Sequence, residues 1–485
     1  MGKRLIQIRP VLFALGLMVC LMALAMVLPT ALDFADDSPT WRAFAVSSLF
    51  SLFVGVLMMM FAYEQRTVRV RVREGFLLTV SCWALLSAFA ALPFLGIGLP
   101  YTDAYFETMS GLTTTGATVI TKLENLPRGI LLWRALLQGI GGLGIIVVAI
   151  LILPFLRIGG MQLFHTESSD RSEKVVPRAF ELVAAIAGVY SALVFICMVV
   201  YVLLGMTPFD AICHALATIS TGGFSTHDDS FAFFASPAID WAAIFFMLTG
   251  GLPFVVYIKV LRGDRLALWR DTQVRGLIVF LVVVCLIMTT WLTLVQGTPA
   301  AEALRIASFN IVSVVTTTGF VHGDYGKWGP FAVGIFFLLM FVGGCSGSTT
   351  GGIKIYRLQV ASLLTRSHLL HLISPNRIVT LMYNGRRLPD DIPFSVVAFL
   401  ALYMATIGIF TVVLTAMGLD LVTALSSATT AVSNVGPGLG EIVGPAGNFS
   451  GLPPTAKWVL SFAMLLGRLE LFTVLVLFRP EFWRG

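Results

Sequence analysis

Four short stretches, each ending in glycine and three of them rich in hydroxyls, have the residue types and spacing to do chemistry. They are Thr113-Thr114-Thr115-Gly116-Ala117, Ile219-Ser220-Thr221-Gly222-Gly223, Thr316-Thr317-Thr318-Gly319-Phe320 and Ser433-Asn434-Val435-Gly436-Pro437. Glycine tolerates backbone angles that other residues resist, so such a strand can turn its carbonyls onto a narrow path. Four of them around one axis would form a cage of oxygens able to replace the water of a dehydrated cation. The candidate ligands are the glycines Gly116, Gly222, Gly319 and Gly436 with the residues before them: Thr114, Thr115, Ser220, Thr221, Thr317, Thr318, Asn434 and Val435. None of the four reads Thr-Val-Gly-Tyr-Gly, and only one glycine position recurs. Fewer well-formed sites, and looser selectivity than in a symmetric potassium channel, are therefore expected.

Two further features lie near this set. Gly343-Gly344-Cys345-Ser346-Gly347-Ser348-Thr349-Thr350-Gly351-Gly352 interrupts an apolar run. Glycine costs about 1 kcal/mol relative to alanine inside a helix, so the helix should break there. The segment reads as a flexible loop obstructing a pore, as a close-packed kink, or as a phosphate loop that lacks the Gly-Lys-Ser/Thr ending. Arg468 falls in mid-span, where related segments carry glycine. A charge there should face the interior, either projecting into the pore or pairing with Glu470 or another carboxylate. Gly139-Ile140-Gly141-Gly142-Leu143-Gly144 matches a dinucleotide fingerprint only formally, because no strand precedes it; close helix packing is the better account. No His-Glu-x-x-His, paired intramembrane aspartates or Ser-His pair suggests an enzyme.

The elements that must position these groups are membrane helices. Of 485 residues, 57% are hydrophobic and 12% charged, with mean hydropathy +0.90; soluble domains carry about 25% charged residues. Ten apolar runs, near 11–28, 43–63, 76–95, 129–153, 179–204, 238–258, 276–296, 330–353, 395–417 and 457–478, are long enough to span. The first lacks a cleavage site and reads as a retained anchor. Shorter runs at about 103–112, 209–218, 303–315 and 421–432 precede the four glycine stretches and read as half-helices. Their C-terminal, partly negative ends would point at the path and favour a cation.

The net charge of +6 is spread over short loops and is no nucleic-acid signal. One side's loops carry 24 basic residues, while the other side's hold Lys122, Arg128, Arg305 and Lys327. This asymmetry puts both termini in the cytoplasm and the glycine stretches in the outer half. The expected fold class is an all-α polytopic membrane protein. An N-terminal helix pair (1–70) precedes four pseudo-repeats of helix, pore loop and helix (71–160, 175–265, 272–365 and 390–485) around a central pore. Each repeat has two crossings, which keeps successive units parallel and favours a pore over an alternating-access carrier. An ion-coupled carrier would need intramembrane acids, and Glu107 and Glu470 are nearly the only candidates.

The chain resembles the TrkH/KtrB family of bacterial potassium uptake proteins, its TrkH branch in particular. The resemblance rests on Leu112-Thr113-Thr114-Thr115-Gly116-Ala117-Thr118, Ser220-Thr221-Gly222-Gly223-Phe224-Ser225-Thr226-His227-Asp228, the Gly343–Thr349 run, Asn434-Val435-Gly436-Pro437-Gly438-Leu439-Gly440 and Gly467-Arg468-Leu469-Glu470. It implies potassium as the transported ion, a homodimer in the bacterial inner membrane, and a filter at Gly116, Gly222, Gly319 and Gly436. It also implies an intramembrane gating loop over 343–352 (Gly343, Gly344, Ser346, Gly347, Ser348, Gly351 and Gly352) and a pore arginine at Arg468. Opening would be controlled by a TrkA-like cytosolic ring that binds NAD and ATP or ADP, so no organic cofactor is expected in this chain.

Overall fold

Seven of the ten expected spans are continuous helices: Ile8–Ala35, Trp41–Ala62, Val72–Ile97, Arg128–Val148, Glu181–Leu203, Thr272–Val295 and Asp391–Ala416. The computed structural model describes residues 6–63, 71–151, 175–377, 379–389 and 391–484. The basic residues Lys3, Arg4, Arg66, Arg69, Arg157, Arg171 and Lys174 lie outside those ranges.

The other three expected spans are broken. Pro237–Gly250 and Phe254–Leu261 meet at 94°, and Pro454–Arg468 and Leu471–Phe478 meet at 111°. The third runs as helix over Pro330–Leu339, leaves helical geometry, and resumes over Ile355–Ile373. Only this third break, at the glycine-rich run, was expected. At the first bend Pro253 cannot donate a backbone hydrogen bond and restricts the residue before it. At the second, Glu470 takes φ 56°, which an α-helix cannot contain.

The four half-helices are Tyr101–Leu112, Pro208–Ile219, Ala300–Val315 and Leu421–Ser433. Proline stands before or at the first residue of the first three; the Thr207 hydroxyl accepts from the Asp210 N–H and the Asp420 carboxylate from the Thr423 N–H, so entering donors are satisfied. Two large apolar cores flank the loops. One joins the helices around the first and fourth half-helices (Phe106, Trp133, Val432, Leu460); the other joins those around the second and third (Tyr201, Phe231, Phe309, Phe336). Among the described residues the only strands form a two-residue hairpin, Met382–Tyr383 with Arg386–Arg387. Asn384 and Gly385 turn it at φ 48° and 74°, the signature of a tight hairpin turn.

Candidate functional site: a closed ring of four loops

Each half-helix ends in the same way. A residue with left-handed backbone follows the helix: Thr114 at φ 50°, Thr221 at 51°, Thr317 at 52° and Asn434 at 56°. Its N–H bonds back three residues, to Gly111, Thr218, Val314 and Ala431. The next N–H bonds back five residues: Thr115 to Ser110, Gly222 to Ala217 and Thr318 to Ser313 at 2.8 Å, and Val435 to Thr430 at 3.1 Å. This double bond pattern satisfies the last carbonyls of the helix. It then releases the chain sideways into a short extended segment.

A glycine with positive φ closes each loop, and these are Gly116 (85°), Gly223 (79°), Gly319 (80°) and Gly436 (106°). In the second loop the closing glycine is therefore Gly223 rather than Gly222. Gly222 occupies the register of Thr115, Thr318 and Val435. The equivalence of Gly222 with Gly116 expected from the sequence is thus displaced by one residue. The doublet Gly222-Gly223 hid the register, although Phe224 and Phe320, each following its closing glycine, could have fixed it.

The closing glycines bring the four loops together in cyclic order. A Cβ built on Gly116 would overlap the carbonyl oxygen of Gly222. One on Gly223 would overlap that of Thr318, one on Gly319 that of Val435, and one on Gly436 would stand 2.8 Å from that of Thr115. Each loop's glycine thus abuts the carbonyl of the next loop, and the fourth returns to the first. A side chain at any of these positions would push two backbones apart. The ring is buried: Thr114, Thr115, Ser220, Thr221, Thr318, Asn434 and Val435 are fully inaccessible.

Four side chains hold the ring, and two of them, Gln138 and Arg134, were not singled out in the sequence. The buried Gln138 amide donates to the Gly222 carbonyl (2.5 Å) and accepts from the Phe224 N–H (3.0 Å). Asn434 donates to the Thr115 hydroxyl (2.9 Å) and to the Met464 carbonyl (3.0 Å), joining the fourth loop to the first. Glu107 is fully buried and bound by Arg134 (2.8 Å), the Thr118 hydroxyl and the Val119 N–H. Arg134 also donates to the Ser225 carbonyl and lies 4.1 Å over the Phe224 ring. Glu107 is therefore a cross-brace between the first two loops, with its oxygens already occupied.

The glycine-rich segment 343–352 packs against three of the four loops. The Gly351 N–H donates to the Thr317 hydroxyl (2.7 Å). The Thr349 hydroxyl meets the Thr221 hydroxyl (3.1 Å) and the carbonyls of Ile219 (3.1 Å) and Gly250 (3.0 Å). A Cβ on Gly351 would overlap the Ser433 carbonyl. On its other face the Ser346 N–H donates to the Gln273 side chain (2.8 Å), and the Cys345 N–H to the Gly251 carbonyl (3.0 Å). Gly343, Gly344, Ser346, Ser348 and Gly351 are buried, while Gly347 and Gly352 are half-buried. The Lys354 ammonium turns back onto the Thr350 carbonyl and hydroxyl, which removes it as a phosphate ligand.

Arg468 does not pair with Glu470. Glu470 takes Arg357 instead (2.6 Å), whose guanidinium lies 3.7 Å over the Phe399 ring. Arg468 donates to the Thr349 carbonyl (2.7 Å), inside the glycine-rich segment.

This arrangement has known counterparts. Residues 42–484 match the family model TrkH, described as a cation transport protein. The chain is 47% identical to the Trk system potassium uptake protein TrkI of Halomonas elongata, over 98% of this chain and 97% of that one. It is 37% identical to TrkH of Escherichia coli strain K12, over 97% and 98%. The crystal structure of the potassium transporter TrkH from Vibrio parahaemolyticus superposes with a TM-score of 0.91 at 35% identity, covering 99% of this chain and all of that one.

The chain belongs to the TrkH family of cation transporters. The TrkH fold accounts for the helical, multi-pass architecture read from the sequence. To the expected filter set of this TrkH-family chain the structure adds Gly223 as the closing residue, with Gln138 and Arg134 as braces. A buried glutamine and a buried arginine inside apolar spans were the available signals, since such residues are costly there unless bonded.

Proposed function

We propose that this chain is the pore of a potassium uptake system in the bacterial inner membrane. The observation that carries the proposal is the cyclic contact of the four closing glycines, which gathers four sets of backbone oxygens around one path. Potassium as the ion rests on the resemblance to the potassium uptake proteins above. In this reading the cation sheds water onto oxygens of Thr114–Gly116, Ser220–Gly223, Thr317–Gly319 and Asn434–Gly436. The segment 343–352 blocks the path beneath them, and Arg468 secures the block through Thr349. The chain acts as a homodimer with both termini in the cytoplasm. A TrkA-like cytosolic ring that binds NAD and ATP or ADP moves the block.

The bonding of Glu107, whose two oxygens are both occupied, and the pairing of Glu470 with Arg357 support passive flow over symport with protons or sodium. The deciding experiment is rubidium and sodium flux through purified protein in liposomes. The expected outcome is rubidium flux down its own gradient, in excess of sodium, with no second gradient needed. Strict dependence on a proton or sodium gradient would replace the pore with a symporter.

A further inference from the structure

We propose that the cavity beneath segment 343–352 is a binding site for a small monovalent anion of the halide class, and that the anion stabilises the blocked state. The cavity has a volume of about 60 Å³, and its lining includes Ser346, Thr350, Lys354, Arg357, Arg468 and Glu470. A water needs roughly 10–15 Å³ of such space, so a halide with one or two waters fits. Three cationic side chains face it against one carboxylate, and that carboxylate is bound by Arg357. Lys354 is satisfied by oxygens of Thr350.

Arg468 is left over. It is 3% exposed, yet only one of its nitrogens has a partner; Nε and the second terminal nitrogen have none. Taking an ion out of water is costly unless charge and hydrogen bonds are both supplied. Water would supply the bonds only. An anion against the free edge of the guanidinium supplies the bonds and the charge, in the paired geometry that arginine favours. The opposite edge holds the Thr349 carbonyl, so one side chain links the anion to the blocking segment. A cation arriving from the ring would meet this positive cavity only after the segment had moved. The anion therefore belongs to the closed arrangement. This last link rests on the pore reading; the binding site itself does not.

The test uses the purified full-length chain with sodium chloride, sodium bromide or sodium gluconate at equal concentration. Chloride and bromide should raise the melting temperature above gluconate. In Arg468→Gln the apparent halide affinity should fall by about tenfold or more, the loss expected for charge-assisted hydrogen bonds. Lys354→Gln should weaken it less. Bromide-soaked crystals of the unmodified protein should give an anomalous peak within hydrogen-bonding reach of the Arg468 guanidinium, which keeps the test open if Arg468→Gln does not fold. Equal melting in all three salts, a halide shift that survives Arg468→Gln undiminished, or no bromide peak there would overturn the site. Halide binding without any rubidium flux would instead count against the pore reading and leave the site standing.

Discussion

Around the ring, four loops of different sequence take one backbone shape; beneath it, four spans with related glycine signatures take different shapes. The left-handed residues of the loops agree within 6° of φ although three are threonine and one is asparagine. In the spans, Gly141-Gly142-Leu143 stays helical, Gly250-Gly251-Leu252 precedes a 94° bend, Gly343-Gly344-Cys345 opens a long irregular segment, and Gly467-Arg468-Leu469 precedes a 111° bend. In the loops, backbone hydrogen bonds dictate the shape, and any residue able to sit in left-handed geometry can follow. In the spans, glycine only permits close approach. Gly141, Gly250 and Gly467 each lie against the carbonyl two residues before the left-handed position, at Leu112, Ile219 and Val432. What each helix does after that contact depends on the residues that follow, such as Pro253 or Glu470.

The largest expected effect tests the register of the ring. Gly223→Ala combines a positive φ with a backbone overlap at Thr318, and strain and overpacking together should cost about 3 kcal/mol or more. Rubidium uptake should be abolished. Gly222 has ordinary φ, and the atoms nearest a Cβ there belong to the Gln138 side chain, which must shift, rather than to another loop's backbone, so Gly222→Ala should retain part of the uptake and melt higher than Gly223→Ala. Equal losses would return Gly222 to the closing position.

Gln138→Leu comes next. It strands the buried Gly222 carbonyl and Phe224 N–H, at about 1–3 kcal/mol for each unsatisfied group. Lower thermal stability and a reduced rubidium-to-sodium flux ratio should appear together, because the second loop loses its brace. A stable variant with unaltered flux ratio would show that the loop's own backbone bonds suffice.

How much of this was legible beforehand follows the same division. The half-helices and the ring residues could be read because hydroxyl-rich runs ending in glycine recur after short apolar segments. The one-residue slip at Gly222-Gly223 arose because two adjacent glycines leave the position of positive φ open. The bends after Gly251 and Arg468 were not legible, since hydropathy is blind to helix direction and 238–258 and 457–478 are apolar throughout. The bracing role of Gln138 could not be read from spacing, because its partners are backbone groups 84 and 86 residues away. The Arg357–Glu470 pair, which frees Arg468 from its adjacent carboxylate, spans 113 residues. Such partners follow from the fold, and sequence spacing does not contain them.

Thr349→Val probes the other side of the comparison, with a moderate effect. The change is close to isosteric and removes the hydroxyl that joins segment 343–352 to Thr221, Ile219 and Gly250. If segment 343–352 blocks the path as proposed, the blocked arrangement should lose about 1–2 kcal/mol, a several-fold to roughly thirtyfold shift toward the open state. Rubidium flux without any cytosolic partner should rise by a comparable factor, while the rubidium-to-sodium ratio stays fixed, because the ring keeps its own bonds. A change in ratio without a rise in flux would mean that Thr349 serves the ring and not the block.

The smallest effect concerns Thr114, where ring geometry and side-chain identity can be separated. A β-branched residue at positive φ is a genuine outlier, and the Thr114 hydroxyl has no hydrogen-bond partner. Asparagine adopts left-handed backbone more readily and already fills the matching place at Asn434. Thr114→Asn should therefore relieve part of the roughly 1–2 kcal/mol left-handed penalty, read as a small rise in melting temperature. The reverse change, Asn434→Thr, removes the bonds to Thr115 and Met464 and should destabilise by more than that gain. If Thr114→Asn melts higher but conducts less selectively, the strained threonine is kept for the oxygen it presents to the ion. If stability and flux ratio both hold or improve, the left-handed backbone is all that this corner of the ring requires.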